Sequence, residues 1–236
     1  QGQGVVNGSV ASPYGVAYAL ESLLQLLESG WATAPFALED WPTFPHRGLL
    51  VDTGRRFHPP SLLRSLMDGM AATKLNVLHL YLSEECFRIE SRLYPGLSRA
   101  NCTVEPNYHF ADPGYCELRV PASFSWFCSL LVLSLLSCRC LIMHGTAADT
   151  QADIAELVHY AKLRGIRLVP EIDLPSHSAG LCAGLKGAGI SCAPCGKYGG
   201  QQILMDDRSV HVVQEVLREV SSLFPDALFS IGGDET

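Results

Sequence analysis

The run Ile231-Gly232-Gly233-Asp234-Glu235-Thr236 sets two adjacent acids behind two glycines, at the end of an apolar stretch. Carboxyls held this close cannot both ionise freely, so one is available as a general acid while its neighbour keeps its charge. Ala227-Leu228-Phe229-Ser230-Ile231 is short and β-rich, which predicts a buried strand rather than a helix. The glycines leave no side chain between the backbone and an approaching ligand. In a parallel α/β sheet, the carboxyl end of a strand is where sites form. Taken alone, Gly-Asp-Glu reads first as a solvated acidic turn; what precedes it shifts the balance.

The pair needs a scaffold, and the sequence supplies one by alternating strands with helices. Gly48-Leu49-Leu50-Val51-Asp52 predicts a strand, and Leu63, Leu66, Met67 and Met70 then recur at helical spacing behind Pro59 and Pro60. Asn76 to Leu82 predicts the next strand. Ile154, Leu157, Val158 and Ala161 repeat the helical stripe until Gly165, and residues 166–173 predict a third strand. Val213, Val216, Leu217 and Val220 mark another helix, broken by Pro225 ahead of the strand at Ala227. Strands separated by single amphipathic helices imply βαβ units and a parallel sheet. Residues 1–46 differ in character: Tyr18 to Leu27 predicts a helix, and Pro42 and Pro45 punctuate a linker. This stretch is expected to be the tail of a preceding small α+β domain.

Composition narrows the class. With 236 residues, 47% of them hydrophobic, the chain can bury a sizeable core. A net charge of -7 and the lack of any basic run exclude nucleic acid as the expected partner. Nine cysteines are many for a reducing compartment, and an odd number cannot all pair internally. Asn7-Gly8-Ser9 and Asn101-Cys102-Thr103 fit the N-glycosylation pattern. Together they point to a lysosomal, vacuolar or secreted protein.

Five ordered motifs carry a resemblance to glycoside hydrolase family 20, the β-N-acetylhexosaminidases. His46-Arg47-Gly48-Leu49-Leu50-Val51-Asp52 resembles that family's first barrel strand, and Lys74 to Glu85 its second, continued by Phe87-Arg88-Ile89-Glu90-Ser91 and Tyr94-Pro95. Thr150-Gln151-Ala152-Asp153-Ile154 and Tyr160 to Arg167 resemble its third helix and strand entry. Val169-Pro170-Glu171-Ile172-Asp173-Leu174-Pro175-Ser176-His177-Ser178 is similar to its E-[FI]-D-x-P-[GS]-H segment, and Gly232-Gly233-Asp234-Glu235 falls where the family carries its catalytic pair. The resemblance implies an α/β fold, a (β/α)₈ TIM barrel of which residues 47–236 are the first half only, about four βα units. The four remaining units, with the aromatic walls of the sugar pocket, are then missing, and this fragment alone is expected to be inactive.

The implied chemistry is substrate-assisted, retaining hydrolysis of terminal N-acetylglucosamine or N-acetylgalactosamine residues of glycans. The substrate's acetamido oxygen attacks the anomeric carbon. Glu235 protonates the departing oxygen and later activates water, and Asp234 stays ionised to steady the acetamido group. Arg47 is expected to bind ring hydroxyls by a forked hydrogen bond. Asp173 and His177 orient and charge-balance the pair. Glu84 and His144 are further substrate-binding candidates. From the residues alone, Arg47 reads as a surface ion-pair residue, His177 as a turn cap, Asp173 as a turn former and Glu84 as a solvated acid. No cofactor, no metal and no membrane span are expected, and the full-length protein is expected to form a homodimer. The alternative is a non-catalytic carbohydrate-binding relative or a non-functional fragment.

Three departures stand out. Ser230 sits where the family usually has His or Asn, and Asp149 where an aromatic residue usually precedes Thr-Gln. Residues 120–140 form an uncharged apolar run up to Cys138 that fits no element of the family, and are expected to be an aberrant insert, translated from non-coding sequence. Cys192-Ala193-Pro194-Cys195 has redox or zinc spacing but lacks a second ligand pair, so a loop disulfide among Cys182, Cys192 and Cys195 is expected instead.

Overall fold

A computed structural model describes residues 7–30, 36–84, 86–99, 148–195 and 200–233. The stretch 120–140, His144, Asp234 and Glu235 lie outside the described residues. In chain order the elements are α1 (Pro13–Glu28), β1 (Gly48–Asp52), α2 (Pro60–Ala72), β2 (Val77–Tyr81), α3 (Gly96–Arg99), α4 (Gln151–Leu163), β3 (Arg167–Glu171), α5 (Ala179–Gly184), a 3₁₀ turn (Lys186–Ala188), β4 (Cys192–Cys195), β5 (Gly200–Ile203) and α6 (Asp207–Ser221).

The apolar runs pair as expected: β1, β2 and β3 form a parallel sheet in that order. Asp52 lies beside Tyr81 and Tyr81 beside Glu171, so the carboxyl ends of all three strands are level. Side chains alternate along each strand. Leu78, Leu80 and Leu168 therefore join one core with Leu63, Met67 and Met70 of α2, Ile154, Leu157 and Ala161 of α4, and Val212, Val216 and Val220 of α6. Each such side chain contributes roughly 1.5–3 kcal/mol by leaving water. Leu50, Asp52, Tyr81 and Glu171 take the opposite face.

The strand predicted at 227–231 is reduced to a single parallel bridge, Ser230 with Glu171. Ser230 N–H donates to Pro170 O at 2.9 Å, and Ile172 and Leu174 N–H donate to Ser230 O and Ile231 O at 3.1 and 3.0 Å. The segment runs beside β3, but Gly232 and Gly233, at φ +62° and +98°, turn it out of the extended conformation at once. Before it, Arg167 of β3 forks onto Asp226 at 2.6 and 2.7 Å and fixes where the segment begins.

Local chemistry sets the helix ends. Thr150 and Asp153 form a capping box at the start of α4, each side chain accepting from the other's backbone N–H. At its end, Gly165 N–H donates to Lys162 O and Ile166 N–H to Ala161 O, a Schellman closure with Gly165 at φ +69°. The same closure ends α2, with Lys74 at φ +59° in the position glycine usually takes. Glu219 of α6 accepts from Ser91 Oγ at 2.5 Å, Arg92 N at 2.7 Å and Gln151 Nε2 at 3.0 Å, tying the chain after β2 to α4 and α6.

Helix α1 meets the amino-terminal ends of the strands. Lys74 Nζ donates to Asp40 Oδ2 at 2.8 Å and to Ser22 Oγ, and Tyr14 packs where Gly165 has no side chain. At the other end, the β4–β5 hairpin clasps the loop after β3: Ile203 N–H donates to Pro175 O at 2.9 Å and Ser178 N–H to Gln201 O at 3.0 Å. Of the three cysteines expected to share a loop bridge, Cys182 and Cys192 are joined.

Two stability outcomes follow from these local features. A Cβ at Gly165 would stand 2.9 Å from Tyr14 Cδ1 on a left-handed backbone, so Gly165→Ala is expected to cost about 1–2 kcal/mol, read as a lower urea midpoint. Asp149, paired in a parallel bridge with Ile89, is buried; burial first and the Asp153 charge second lift its carboxyl from 3.8 to about 7, against the pull of Arg88. The folded state then holds a proton that the unfolded chain releases, so stability falls as pH rises from about 4 to above 7. Asp149→Asn is expected to flatten that fall in a series of thermal melts across pH.

Candidate active site

An open pocket of about 370 Å³ sits past the carboxyl ends of the three strands, lined by Leu50, Asp52, Arg55, Tyr81, Glu171, Asp173, His177 and Gly232. Behind the lining residues Arg55, Tyr81 and His177 lies Glu84, which is 6% exposed, accepts two hydrogen bonds and joins one ion pair. Oε2 accepts the Tyr81 hydroxyl at 2.7 Å and pairs in charge with Arg55 Nη2 across 3.1 Å, and Oε1 bonds His177 Nδ1 at 2.7 Å. Burial lifts the Glu84 carboxyl above its usual range, while the Tyr81 and His177 hydrogen bonds and the Arg55 charge pull the other way.

Arg55 follows β1 by one short turn. Its backbone N–H and Nη1 both reach Asp52, at 2.9 and 2.6 Å, and its guanidinium lies over the Tyr81 ring, 5.5 Å from the centroid. A planar, permanently charged fork is thereby held at the pocket with few rotamers left to lose on binding. Deeper on the same face, His79 Nε2 approaches Glu171 Oε2 to 2.5 Å without hydrogen-bond geometry.

Asp173 extends the inward face of β3, two residues beyond Glu171 and on the same side. Its backbone N–H donates to Ser83 Oγ at 2.9 Å, its Oδ2 faces the Tyr81 hydroxyl at 3.1 Å, and its Oδ1 accepts Gly233 N–H at 3.0 Å. That last bond depends on glycine next door. A Cβ on Gly232 would fall 1.9 Å from Asp173 Oδ1. His177 sits at φ +52°, after a cis Leu174–Pro175 peptide, on the loop that the hairpin clasps.

Of the residues singled out from the sequence, Glu84, Asp173 and His177 converge here. Glu84 is buried, not a solvated loop acid. Arg47 does not converge. It precedes β1, at the opposite end of the sheet, where Nε donates to Lys74 O at 2.8 Å and Nη1 to Phe44 O at 2.7 Å, and the guanidinium lies 5.8 Å from the Tyr18 ring centroid. A side chain ahead of a parallel strand starts on the face that carries stability, and one just past it starts on the face that carries chemistry. The arginine at the pocket is therefore Arg55. Asp52, Tyr81 and Glu171 were also missed, although strand alternation puts each on the face of Asp173. Among the described residues, no cluster of His, Cys, Asp and Glu is arranged to hold a metal ion.

Comparison with known proteins gives this geometry a family. The sequence profile of the glycosyl hydrolase family 20 catalytic domain matches residues 44–236. A beta-hexosaminidase of Emericella nidulans is 27% identical across 99% of this chain and 35% of its own length. The beta-hexosaminidase subunit alpha of Bos taurus is 29% identical across 94% of this chain and 36% of its own. The chain thus spans about a third of the length of these relatives. The chitobiase of Flavobacterium johnsoniae superposes with a TM-score of 0.63 at 26% identity, over 94% of this chain and 29% of that one. With the profile running from the linker before β1 through the acid pair, and a solved family fold matching beneath it, the chain belongs to glycosyl hydrolase family 20.

Proposed function

We propose that the protein is a β-N-acetylhexosaminidase, hydrolysing terminal N-acetylhexosamine residues of glycans by substrate-assisted, retaining catalysis. The single observation that carries this reading is a pocket of mixed charge at the carboxyl end of the sheet, bordered by the Gly232 turn that leads into Asp234-Glu235. Glu235 is the general acid and base. Asp234 holds the acetamido N–H and offsets the positive charge that develops on the substrate. Arg55 takes the role first assigned to Arg47, forking onto sugar hydroxyls, with Asp52 beside it as an acceptor. Glu84, His177 and Asp173 form the hydrogen-bonded cluster that orients these groups. His144 remains a candidate from its sequence position alone.

In this reading β1, β2, β3 and the segment at Ser230 are the first strands of an eight-stranded barrel, and residues 1–46 close the small domain that precedes it. The Cys182–Cys192 disulfide and the exposed acceptor Asn7 support passage through an oxidising secretory compartment. No described helix is long and apolar enough to cross a membrane.

The test is release of a chromogenic aglycone from an N-acetylglucosaminide by the full-length protein. Glu235→Gln is expected to lower turnover by about 10²–10⁴-fold while sugar binding is kept; sugar binding without turnover in the unmutated protein overturns the enzyme reading in favour of a binder. The two arginines separate cleanly in the same assay. Charge-assisted hydrogen bonds are worth about 1.5–3 kcal/mol, so Arg55→Ala is expected to cut kcat/KM by roughly 10–100-fold. Arg47→Ala is expected to lower the melting temperature and leave kcat/KM nearly unchanged.

A further inference from the structure

The Tyr81 phenol stands between two buried acids. Its oxygen is 2.7 Å from Glu84 Oε2 and 3.1 Å from Asp173 Oδ2, and Tyr81, Glu84 and Asp173 are 8%, 6% and 3% exposed. The hydroxyl can donate to only one acid at a time and can accept from the other, so both contacts are hydrogen bonds only when the cluster holds one further proton. Asp173 spends its second oxygen on Gly233 N–H. A continuous path therefore runs from Arg55 and His177, through Glu84, Tyr81 and Asp173, to the backbone one residue before Asp234.

Resting on the glycosidase reading above, we propose that Tyr81 is a positioning residue: its hydroxyl joins Glu84 to Asp173 and so fixes the Gly232-Gly233 turn that leads into the acid pair. The groups facing it are accounted for. Arg55 covers its ring, Asp52 and Glu171 flank it in register, His177 reaches it through Glu84, and the two acids meet its oxygen. Burial first, and then the two neighbouring carboxylates, raise its own titration well above the ordinary phenol value, so the proton stays on the oxygen at working pH. The phenol thus stays neutral, donating to one acid and accepting from the other. It acts on the turn before the acid pair through Asp173 and Gly233, which makes the effect indirect.

Tyr81→Phe keeps the ring under Arg55 and removes only the bridging oxygen. In the full-length protein, kcat is expected to fall by about tenfold or more while KM stays within about threefold, because positioning rather than sugar contact is lost. The acid limb of the kcat/KM profile is expected to move to lower pH, since the proton that the two acids share through the phenol loses its acceptor. Unchanged kcat with an unchanged acid limb overturns the proposal. So does a melting temperature lowered equally at every pH with the profile unmoved, which marks the hydroxyl as structural only. Should the unmutated full-length protein fail to release the aglycone, the glycosidase reading falls separately. The bridge is then decided by hydrogen exchange at the Gly232 and Gly233 amides: faster exchange in Tyr81→Phe supports it, and equal exchange overturns it.

Discussion

Alternation along three level parallel strands is the constraint on which the molecule depends. Because Asp52, Tyr81 and Glu171 share one register line, their side chains must emerge together on one face, and Leu80 and Pro170 must turn the other way. A slip of one residue in any strand would exchange the two sets, sending carboxylates into the helix-covered core and leucines into the pocket. Burying Leu63, Met67, Ile154, Leu157 and Val216 against the outer face therefore fixes the inner face as well. The packing energy on one side of the sheet is what holds polar groups in place on the other.

Charge on the inner face is tolerated where an acid has donors, as Asp52, Glu84 and Asp173 do. Leaving a buried carboxylate without its partner costs about 3–5 kcal/mol, comparable with the loss of a large core side chain. Glu84 escapes that cost through Tyr81, Arg55 and His177, which come from β2, the turn after β1 and the loop after β3. The site is therefore assembled by contacts distant in sequence. Its acids report on the docking of three separate loops.

Much of the scaffold was legible because its signals are local. Thr150 with Asp153 announces a helix start, Gly165 a helix end, and alternating leucines a strand. The segment at 227–231 was legible as to place but not extent, since its ladder is cut short by two left-handed glycines and a fork from Arg167 that no local pattern encodes. Asp173 and His177 were readable as a motif. Arg47 was misplaced because a motif gives identity without direction, whereas the sheet makes residues before and after a strand serve opposite ends. Arg55 sits eight residues along and was passed over, although its place just after Asp52 is where the parallel sheet puts its chemistry. Glu84 was a substrate-binding candidate by its motif and a solvated acid by its neighbours alone, because its three partners come from elements a single sequence does not align.

The hairpin of β4 and β5 carries a consequence for how the chain matures. Cys182 of α5 is bridged to Cys192 at the start of β4, a covalent tie between the hairpin and the helix that follows the loop bearing His177. With that tie made, β5 meets the loop backbone at Pro175 and Ser178. Without it, those contacts hold the hairpin to the loop by noncovalent forces alone. Native sulfur pairing is thus a checkpoint on site geometry. A misoxidised molecule could keep its sheet and its core and still present a disordered pocket rim.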